Sequence, residues 1–119
     1  RVLAAEDNAV NQRVLARLLQ RLGCEVELVG NGREAVERVR DGRYDLVLMD
    51  CQMPVLDGFA ATREIRALGG ESARLPVVAV TAHALEGDRE RCLAEGMDDY
   101  VSKPLRAADL QRVLSRFVP

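Results

Sequence analysis

The sequence predicts an α/β fold with a doubly wound parallel sheet of five strands and helices on both faces. Short apolar runs alternate with amphipathic stretches along the whole chain, and neither repeats nor low-complexity segments interrupt them. Such alternation is typical of strands joined by helical crossovers. The apolar runs are nearly continuous, as in strands that are buried on both faces. Right-handed crossovers between them complete the predicted architecture.

Five short apolar segments are the predicted strands. They span residues 2–5, 25–29, 44–50, 77–80 and 99–102. The third is the clearest, because its apolar run stops abruptly at the carboxylate of Asp50. Gly69 and Pro76 bracket the loop into the fourth strand, since both residues interrupt regular structure.

Five amphipathic segments are the predicted helices. The first begins after Asn8, a good N-cap, and ends before Gly23. The second follows Asn31, an N-cap residue with Glu34 three residues later as in a capping box, and it runs to Gly42. The others span residues 58–68, 85–95 and 107–117, and the fourth is the weakest because it carries few large apolar residues. The predicted core positions are Val10, Val14, Leu18 and Leu22, then Ala35, Val36 and Val39, then Phe59, Ile65 and Leu68, then Leu110, Val113, Leu114 and Phe117.

Composition and charge indicate one compact domain and exclude several function classes. The chain has 119 residues, of which 48% are hydrophobic, enough for a core of ordinary size. A net charge of −2 gives no basic footprint of nucleic-acid binding. No apolar run approaches the ~20 residues that a membrane helix needs. We therefore expect no direct nucleic-acid or membrane contact. Because the chain opens on a strand at Arg1, we expect residues 1–119 to be one domain excised from a longer protein.

Three cysteines bear on the cellular compartment. Cys24, Cys51 and Cys92 are odd in number and lack the spacing of metal ligands. We therefore expect buried free thiols in a reducing compartment, with disulfide or metal use as the alternative.

Charged and hydroxyl residues follow four of the predicted strands. Glu6 and Asp7 follow the first strand, and Asp50 ends the third. Thr81 follows the fourth strand, and Lys103 follows the fifth. The carboxyl ends of parallel strands meet at one sheet edge, where such sheets bind ligands. Three carboxylates in one pocket repel each other unless a cation joins them, and an all-oxygen ligand set favours Mg²⁺. The alternative is that the acids cap the loops that follow them.

The segments around these residues resemble the receiver domains of two-component response regulators. The matching segments are AAEDN, LVLMDCQMPVLDG, VVAVTAHA and GMDDYVSKPL, and the resemblance covers essentially the whole chain. It implies a flavodoxin-like (βα)5 fold with strand order 2-1-3-4-5. It also implies Mg²⁺-dependent transfer of a phosphoryl group from a kinase phosphohistidine to an aspartate, followed by a conformational switch or onward relay. The domain would catalyse its own phosphorylation and dephosphorylation, and we expect Mn²⁺ to substitute for Mg²⁺.

The resemblance further implies which residues bind the metal and the phosphoryl group. Asp50 would be the phosphoacceptor. Asp7 and Asp50 would bind the metal directly, Gln52 would add its backbone carbonyl, and Glu6 would act mainly through water. Lys103 would contact the phosphoryl oxygens. Gln52, two residues after the acceptor, would also tune hydrolysis.

Other positions match the parts of a receiver that admit the donor and transmit the signal. Thr81 would contact the phosphoryl group only after transfer, and Tyr100 would be the aromatic residue that switches with it. Ala82 would leave room for the incoming donor, and His83 would tune hydrolysis. Pro104 would rigidify the loop that carries the site lysine, through a cis peptide bond.

The resemblance is strongest to receivers of hybrid sensor histidine kinases, through Glu6-Asp7-Asn8 with Asn11 and through Thr81-Ala82-His83-Ala84. A receiver from a transcriptional or stand-alone regulator is the alternative. The expected partners are a histidine kinase dimerisation domain and a histidine phosphotransfer domain, and the expected location is the cytoplasm.

Two functions from other classes fit the sequence less well. A haloacid-dehalogenase-type phosphatase needs a second acid two residues after its nucleophile, where Gln52 stands. A flavodoxin-like flavin carrier needs a phosphate-binding loop after the first strand, where Glu6 and Asp7 would repel the anion. A degenerate receiver that serves only for docking is disfavoured by the intact set of acids with Thr81 and Lys103.

Overall fold

A parallel five-stranded sheet forms the centre of the molecule in this computed structural model. The structure describes residues 1–51, 53, 55–81, 86–103 and 105–117, with the side chains of 86–89 left out. The strands are β1 (Val2–Ala5), β2 (Val26–Val29), β3 (Leu46–Asp50), β4 (Val77–Thr81) and β5 (Asp99–Ser102). Their order is β2-β1-β3-β4-β5, and all neighbours are parallel. The predicted fold class and strand order are confirmed.

Five α-helices connect or follow the strands, as predicted. They are α1 (Ala9–Arg21), α2 (Gly32–Asp41), α3 (Gly58–Ala67), α4 (Glu86–Ala94) and α5 (Ala107–Phe117), with a short 3₁₀ helix at Gly70–Ala73. Asn8 caps α1 by accepting hydrogen bonds from two backbone amides, and Asn31 caps α2 by accepting one from Glu34. The side chain of Glu34 in turn accepts from the backbone amide of Gly30. Both predicted helix starts are therefore correct.

Helices cover both faces of the sheet. Because successive strand residues point to opposite faces, each strand contributes side chains to both layers of the core. Leu3, Ala5, Val47 and Met49 belong to the core on the side of α2 and α3. The intervening strand residues belong to the second core, on the side of α1 and α5. Both faces of the central strands are apolar, which is why the sequence shows continuous rather than alternating apolar runs.

The inward face of α1 agrees with the prediction at two of four positions. Leu18 and Leu22 pack against the core as predicted, but Val10 and Val14 are 67% and 48% exposed. Leu15 and Leu19, which were not predicted, are buried. The valine pair and this leucine pair both satisfy helical spacing, and the core contacts are made by the leucines. Leu68 is also wrongly predicted as a core residue, because α3 ends at Ala67 and leaves it 42% exposed.

The loop after β3 fixes the backbone around Asp50. The backbone amide of Gly58 donates to the Cys51 carbonyl at 3.2 Å. A Cβ at Gly58 would collide with the backbone carbonyl of Asp50, so the first turn of α3 can approach the strand end only with glycine there. Asp57 caps this turn by accepting from a backbone amide. Val55 in the same loop has φ +69°, a left-handed conformation that β-branched residues rarely adopt.

Candidate functional site

Three carboxylates meet at the carboxyl edge of the sheet. Glu6 and Asp7 follow β1, and Asp50 ends the neighbouring strand β3. One ligand oxygen from each lies within 4.8 Å of the others. Glu6 and Asp50 are each only 3% exposed, whereas Asp7 is exposed. The structure therefore brings together the three acids that the sequence placed at strand ends.

Lys103 brings a positive charge to this cluster from the end of β5. Its backbone amide donates to the Thr81 carbonyl at 2.8 Å, which ties the loop to β4. Its ammonium donates to Asp50 Oδ2 at 2.9 Å and to Glu6 Oε2 at 3.4 Å. Burial opposes the charge on Lys103, but Asp50 and Glu6 outweigh it, so the pKa of Lys103 is raised.

The Glu6 carboxylate is held by the first turn of α1. Asn11 Nδ2 donates to Glu6 Oε1 at 2.9 Å, and Gln12 Nε2 donates to the Glu6 backbone carbonyl at 2.6 Å. Burial raises the pKa of Glu6, and the adjacent Asp50 carboxyl raises it further, against the opposing effects of Asn11 and Lys103. Neither amide was assigned a contact from the sequence, although their position one helical turn after two acids was the available signal.

Thr81 lies in the same pocket as the acids and Lys103. The pocket has a volume of about 290 Å³. Thr81 ends β4 and pairs in register with Ser102, while Ala79 pairs with Tyr100. Because strand side chains alternate, Thr81 and Tyr100 point to the same face of the sheet, two residues apart in register. Tyr100 is half-buried against the core on the side of α2 and α3.

An apolar groove adjoins the acidic pocket. It has a volume of about 410 Å³ and lies between α1 and the segment that leads into α5. Its apolar wall includes Val14, Leu15, Val80 and Leu105. It shares Glu6, Asn11 and Lys103 with the acidic pocket.

The donor chemistry of the cluster fits a hard divalent cation. Oxygen is the only donor type that Glu6, Asp7 and Asp50 offer, and Mg²⁺ is bound in proteins through one or two carboxylates with water. Two of the three carboxylates are buried, and a second cation would reduce the repulsion that a single ammonium leaves.

Four predicted site residues lie outside the described part of the chain. They are Gln52, Ala82, His83 and Pro104. Their proposed roles, and the cis peptide bond before Pro104, stay predictions.

The remaining sequence-based expectations concern thiols and membranes. Cys51 and Cys92 are buried, as expected, whereas Cys24 is only half-buried. Among the described residues, no helix has the length and apolar character required to cross a membrane.

Comparisons with known proteins agree with this geometry. A model of the response regulator receiver domain matches residues 2–115, and the chain belongs to this family of two-component signalling domains. The receiver domain of the sensor histidine kinase PA1611 from Pseudomonas aeruginosa, solved with magnesium in its active-site cleft, is 52% identical with a TM-score of 0.90. The match covers 98% of this chain and 94% of that one.

Two further matches connect the chain to phosphorelay proteins. The hybrid signal transduction histidine kinase G of Dictyostelium discoideum is 44% identical over 121 residues, covering 100% of this chain but only 4% of that protein. The receiver domain of Ssk1 from Saccharomyces cerevisiae, solved with the phosphotransfer protein Ypd1, is 31% identical with a TM-score of 0.90. That match covers 98% of this chain and 86% of that one.

Proposed function

We propose that this domain accepts a phosphoryl group on Asp50 from a phosphohistidine. The observation that carries the proposal is the contact of the Lys103 ammonium with Asp50 Oδ2 at 2.9 Å, beside two further carboxylates. An isolated structural ion pair would not need the additional acids, which destabilise it by repulsion. A phosphoryl-transfer site does need them, to hold a metal ion next to the nucleophile.

The transfer requires little covalent activation by the protein. An oxygen of the Asp50 carboxylate attacks phosphorus, the phosphorus–nitrogen bond to the donor imidazole breaks, and the imidazole nitrogen keeps the electron pair. Catalysis then depends on in-line positioning and on neutralising the oxygens of the transferred group. Lys103, whose raised pKa keeps it protonated at neutral pH, would supply one of these positive charges. Hydrolysis by water would return Asp50 to its original state.

The second positive charge would come from Mg²⁺, for which Mn²⁺ would substitute. Asp7 and Asp50 would hold the ion directly, with the backbone carbonyl of Gln52, and Glu6 would act mainly through water. The bound ion would neutralise charge on the phosphoryl oxygens. The magnesium in the cleft of the 52% identical receiver domain supports this assignment.

Histidine-containing domains are the proposed partners, a kinase dimerisation domain as donor and a phosphotransfer domain as acceptor. The solved pair of Ssk1 and Ypd1 supports a phosphotransfer partner. Val10 and Val14 on α1 are exposed, and Val14 and Leu105 line the groove that also contains Glu6 and Lys103. Docking there would bring a partner imidazole to Asp50. Similarity to hybrid histidine kinases supports a parent of that kind, and membership of the receiver family supports a cytoplasmic location.

Thr81 and Tyr100 would transmit phosphorylation rather than perform it. The phosphoryl group adds strong acceptor oxygens, and the Thr81 hydroxyl lines the same pocket. A shift of Thr81 toward them would change the space next to Tyr100 on the same sheet face. Any resulting change in α4 would be a population shift limited by the difference in phosphoryl contacts between two states. The expected signature is a Thr81→Ala variant that is still phosphorylated but whose α4 amide resonances stay near their unphosphorylated positions.

Intact-mass analysis with acetyl phosphate tests the phosphoacceptor. The wild-type domain is expected to gain one phosphoryl group with Mg²⁺ or Mn²⁺ and none with EDTA, and Asp50→Asn is expected to gain none. Asp57→Asn is a matched control, because it alters an acid of the following loop while asparagine retains the helix-capping function. An adduct of undiminished yield in Asp50→Asn would show that the acceptor is wrongly assigned.

A further inference from the structure

Asn11 fixes the orientation of one site carboxylate. Its side-chain amide donates to Glu6 Oε1 at 2.9 Å, a shorter contact than the 3.4 Å from the Asn8 backbone amide to the same oxygen, and Glu6 Oε2 faces Lys103 at 3.4 Å. The backbone of Asn11 is itself held, because its amide donates to Asn8 Oδ1 at 3.1 Å in the capped first turn of α1. The two oxygens of Glu6 therefore have different surroundings, one set by α1 and the other directed into the cluster.

Helix stability gives no reason for asparagine at this position. Asparagine is a poorer helix former than alanine, so Asn11 weakens the first turn of α1 slightly. Its side chain is instead directed back toward the end of β1. The neighbouring Gln12 contacts the same residue differently, since its amide donates to the backbone carbonyl of Glu6 at 2.6 Å. One amide thus holds the carboxylate and the other holds the loop.

We propose that Asn11 is a positioning residue that sets the affinity of the acidic cluster for its divalent cation through Glu6. The inference rests on the proposed function of the cluster as a Mg²⁺ site. A carboxylate that is free to rotate must lose that freedom when an ion or an ion-bound water is held, whereas a carboxylate already fixed by Asn11 does not. Partners that orient the ligands of a metal are typically worth 10- to 100-fold in affinity.

The location of Asn11 also distinguishes it from a general surface amide. It lines both the acidic pocket and the apolar groove, and its contact with Glu6 is made at the boundary between them. Alanine there keeps the backbone amide that Asn8 caps and removes only the donor to Glu6. Asn11→Ala is therefore expected to fold, and thermal unfolding will check this.

A double-mutant cycle read by Mg²⁺ titration calorimetry tests the proposal. Asn11→Ala is expected to weaken Mg²⁺ binding on the order of tenfold, the lower end of the usual range because the side chain is exposed. In a Glu6→Ala background the same substitution is expected to have no further effect, since the group through which it acts is absent. The side-chain amide protons of Asn11 should shift on Mg²⁺ addition in the wild type and not in Glu6→Ala.

Gln12→Ala is the matched control, because it removes an amide from the same helical turn. It acts on a backbone carbonyl that Glu6→Ala retains, so any effect it has on Mg²⁺ binding should persist in that background. The proposal is overturned if Asn11→Ala binds Mg²⁺ as the wild type does, or if its effect is undiminished without the Glu6 side chain. A wild-type domain that binds no Mg²⁺ would instead overturn the proposed function of the cluster.

Discussion

At the amino edge of the sheet, each of the five N–H donors of Arg66 has an acceptor. At the carboxyl edge, three carboxylates cluster and Lys103 pairs with two of them, Glu6 and Asp50. Arg66 is at the end of α3, and its side chain is 20% exposed. It donates to the backbone carbonyls of Gly96, Ser72 and Leu75 and to Asp98 Oδ2. One guanidinium thereby joins the loops that precede β4 and β5.

The pKa values of two buried acids move in opposite directions at these two edges. Burial and Asp50 raise the pKa of Glu6 at the carboxyl edge. At the start of β5, burial would raise the pKa of Asp99, but the Tyr100 backbone amide and the guanidinium groups of Arg112 and Arg116 outweigh it and lower the pKa. The ionised form is thus disfavoured for Glu6 at the carboxyl edge, where we place the phosphoryl transfer. It is favoured for Asp99 at the amino edge. Charges assembled for binding reduce the stability of the folded state.

The test with the largest expected effect removes the side chain of Arg66 at the amino edge. Arg66→Ala is expected to reduce the free energy of unfolding by about 3 kcal/mol, because it removes the guanidinium donors from three backbone carbonyls and from Asp98, which keeps the backbone amide of Val77 as a donor. Denaturant unfolding followed by circular dichroism measures the change. Arg66→Lys should recover little, since an ammonium cannot reach acceptors arranged around a planar fork.

Arg63→Ala on the same helix is the control for this experiment. Arg63 pairs with Glu95 at 2.7 Å, but its side chain is largely exposed. Surface pairs of this kind contribute about 0–1 kcal/mol. Equal losses from the two substitutions would mean that Arg66 is also only a surface residue and that the edges do not differ.

The second test removes a carboxylate from the other edge. Glu6→Gln is expected to raise the free energy of unfolding at pH 7 by about 1–2 kcal/mol in EDTA, because repulsion from Asp50 and the burial of a charge are relieved. The folded-state pKa of Glu6 lies above its unfolded value of about 4.3. The penalty is therefore complete above the folded pKa and disappears as the pH falls below the unfolded one.

Denaturant midpoints from pH 7 to pH 4 measure this dependence. The exposed Glu37 on α2 provides the control, because Glu37→Gln should leave stability nearly unchanged at all of these pH values. Saturating Mg²⁺ should stabilise the wild type relative to Glu6→Gln, since an ion that binds the folded state adds to its stability. A Glu6→Gln variant that is less stable in EDTA would contradict the idea of a strained carboxyl edge.

The two edges also differ in how far the sequence reveals them. Asp50 and Lys103 could be located from sequence because Asp50 ends a strand and Lys103 directly follows one, and the carboxyl ends of strands in a parallel sheet converge. Arg66 gave no signal, since most of its acceptors are backbone carbonyls that any sequence possesses. The contact of Asn11 with Glu6 was equally invisible, because it depends on a side chain directed back from a helix toward a strand end.

The misassigned face of α1 has a similar cause. Val14 and Leu15 each begin a series with helical spacing, and periodicity alone cannot choose between adjacent stripes. In the structure Leu15 and Leu19 pack into the core on the side of α1 and α5, and Val10 and Val14 are exposed. The strands were predicted more accurately, because continuous apolar runs identify strands buried on both faces without any choice between faces.

The third test concerns Asp99, whose ionised form is favoured at the amino edge. Asp99→Asn is expected to reduce stability by about 1 kcal/mol at pH 7, a modest value because Arg112 and Arg116 are half exposed and screened by solvent. The folded-state pKa of Asp99 lies below its unfolded value of about 3.9. Its contribution is therefore complete above the unfolded pKa and is lost as the pH falls through the folded one.

Denaturant unfolding of the wild type and of Asp99→Asn between pH 7 and pH 2.5 measures how the difference in their free energies of unfolding depends on pH. The two curves should converge at the acid end, in contrast to Glu6→Gln, for which convergence begins at higher pH because the pKa of Glu6 is raised. Asp45→Asn is the control, since Asp45 is an exposed acid. A constant difference between wild type and Asp99→Asn at all pH values would show that the loss comes from packing rather than from charge.

The smallest expected effect comes from backbone strain in the loop after β3. Val55 adopts φ +69° while its side chain is 79% exposed, so its left-handed conformation is not offset by burial. Asparagine tolerates this region far better than valine. Val55→Asn is therefore expected to raise the free energy of unfolding by about 0.5 kcal/mol. Val55→Thr keeps the branched Cβ and should give no gain. If both substitutions change stability equally, the strain at this edge does not come from the backbone of Val55, and electrostatic repulsion alone distinguishes the two edges.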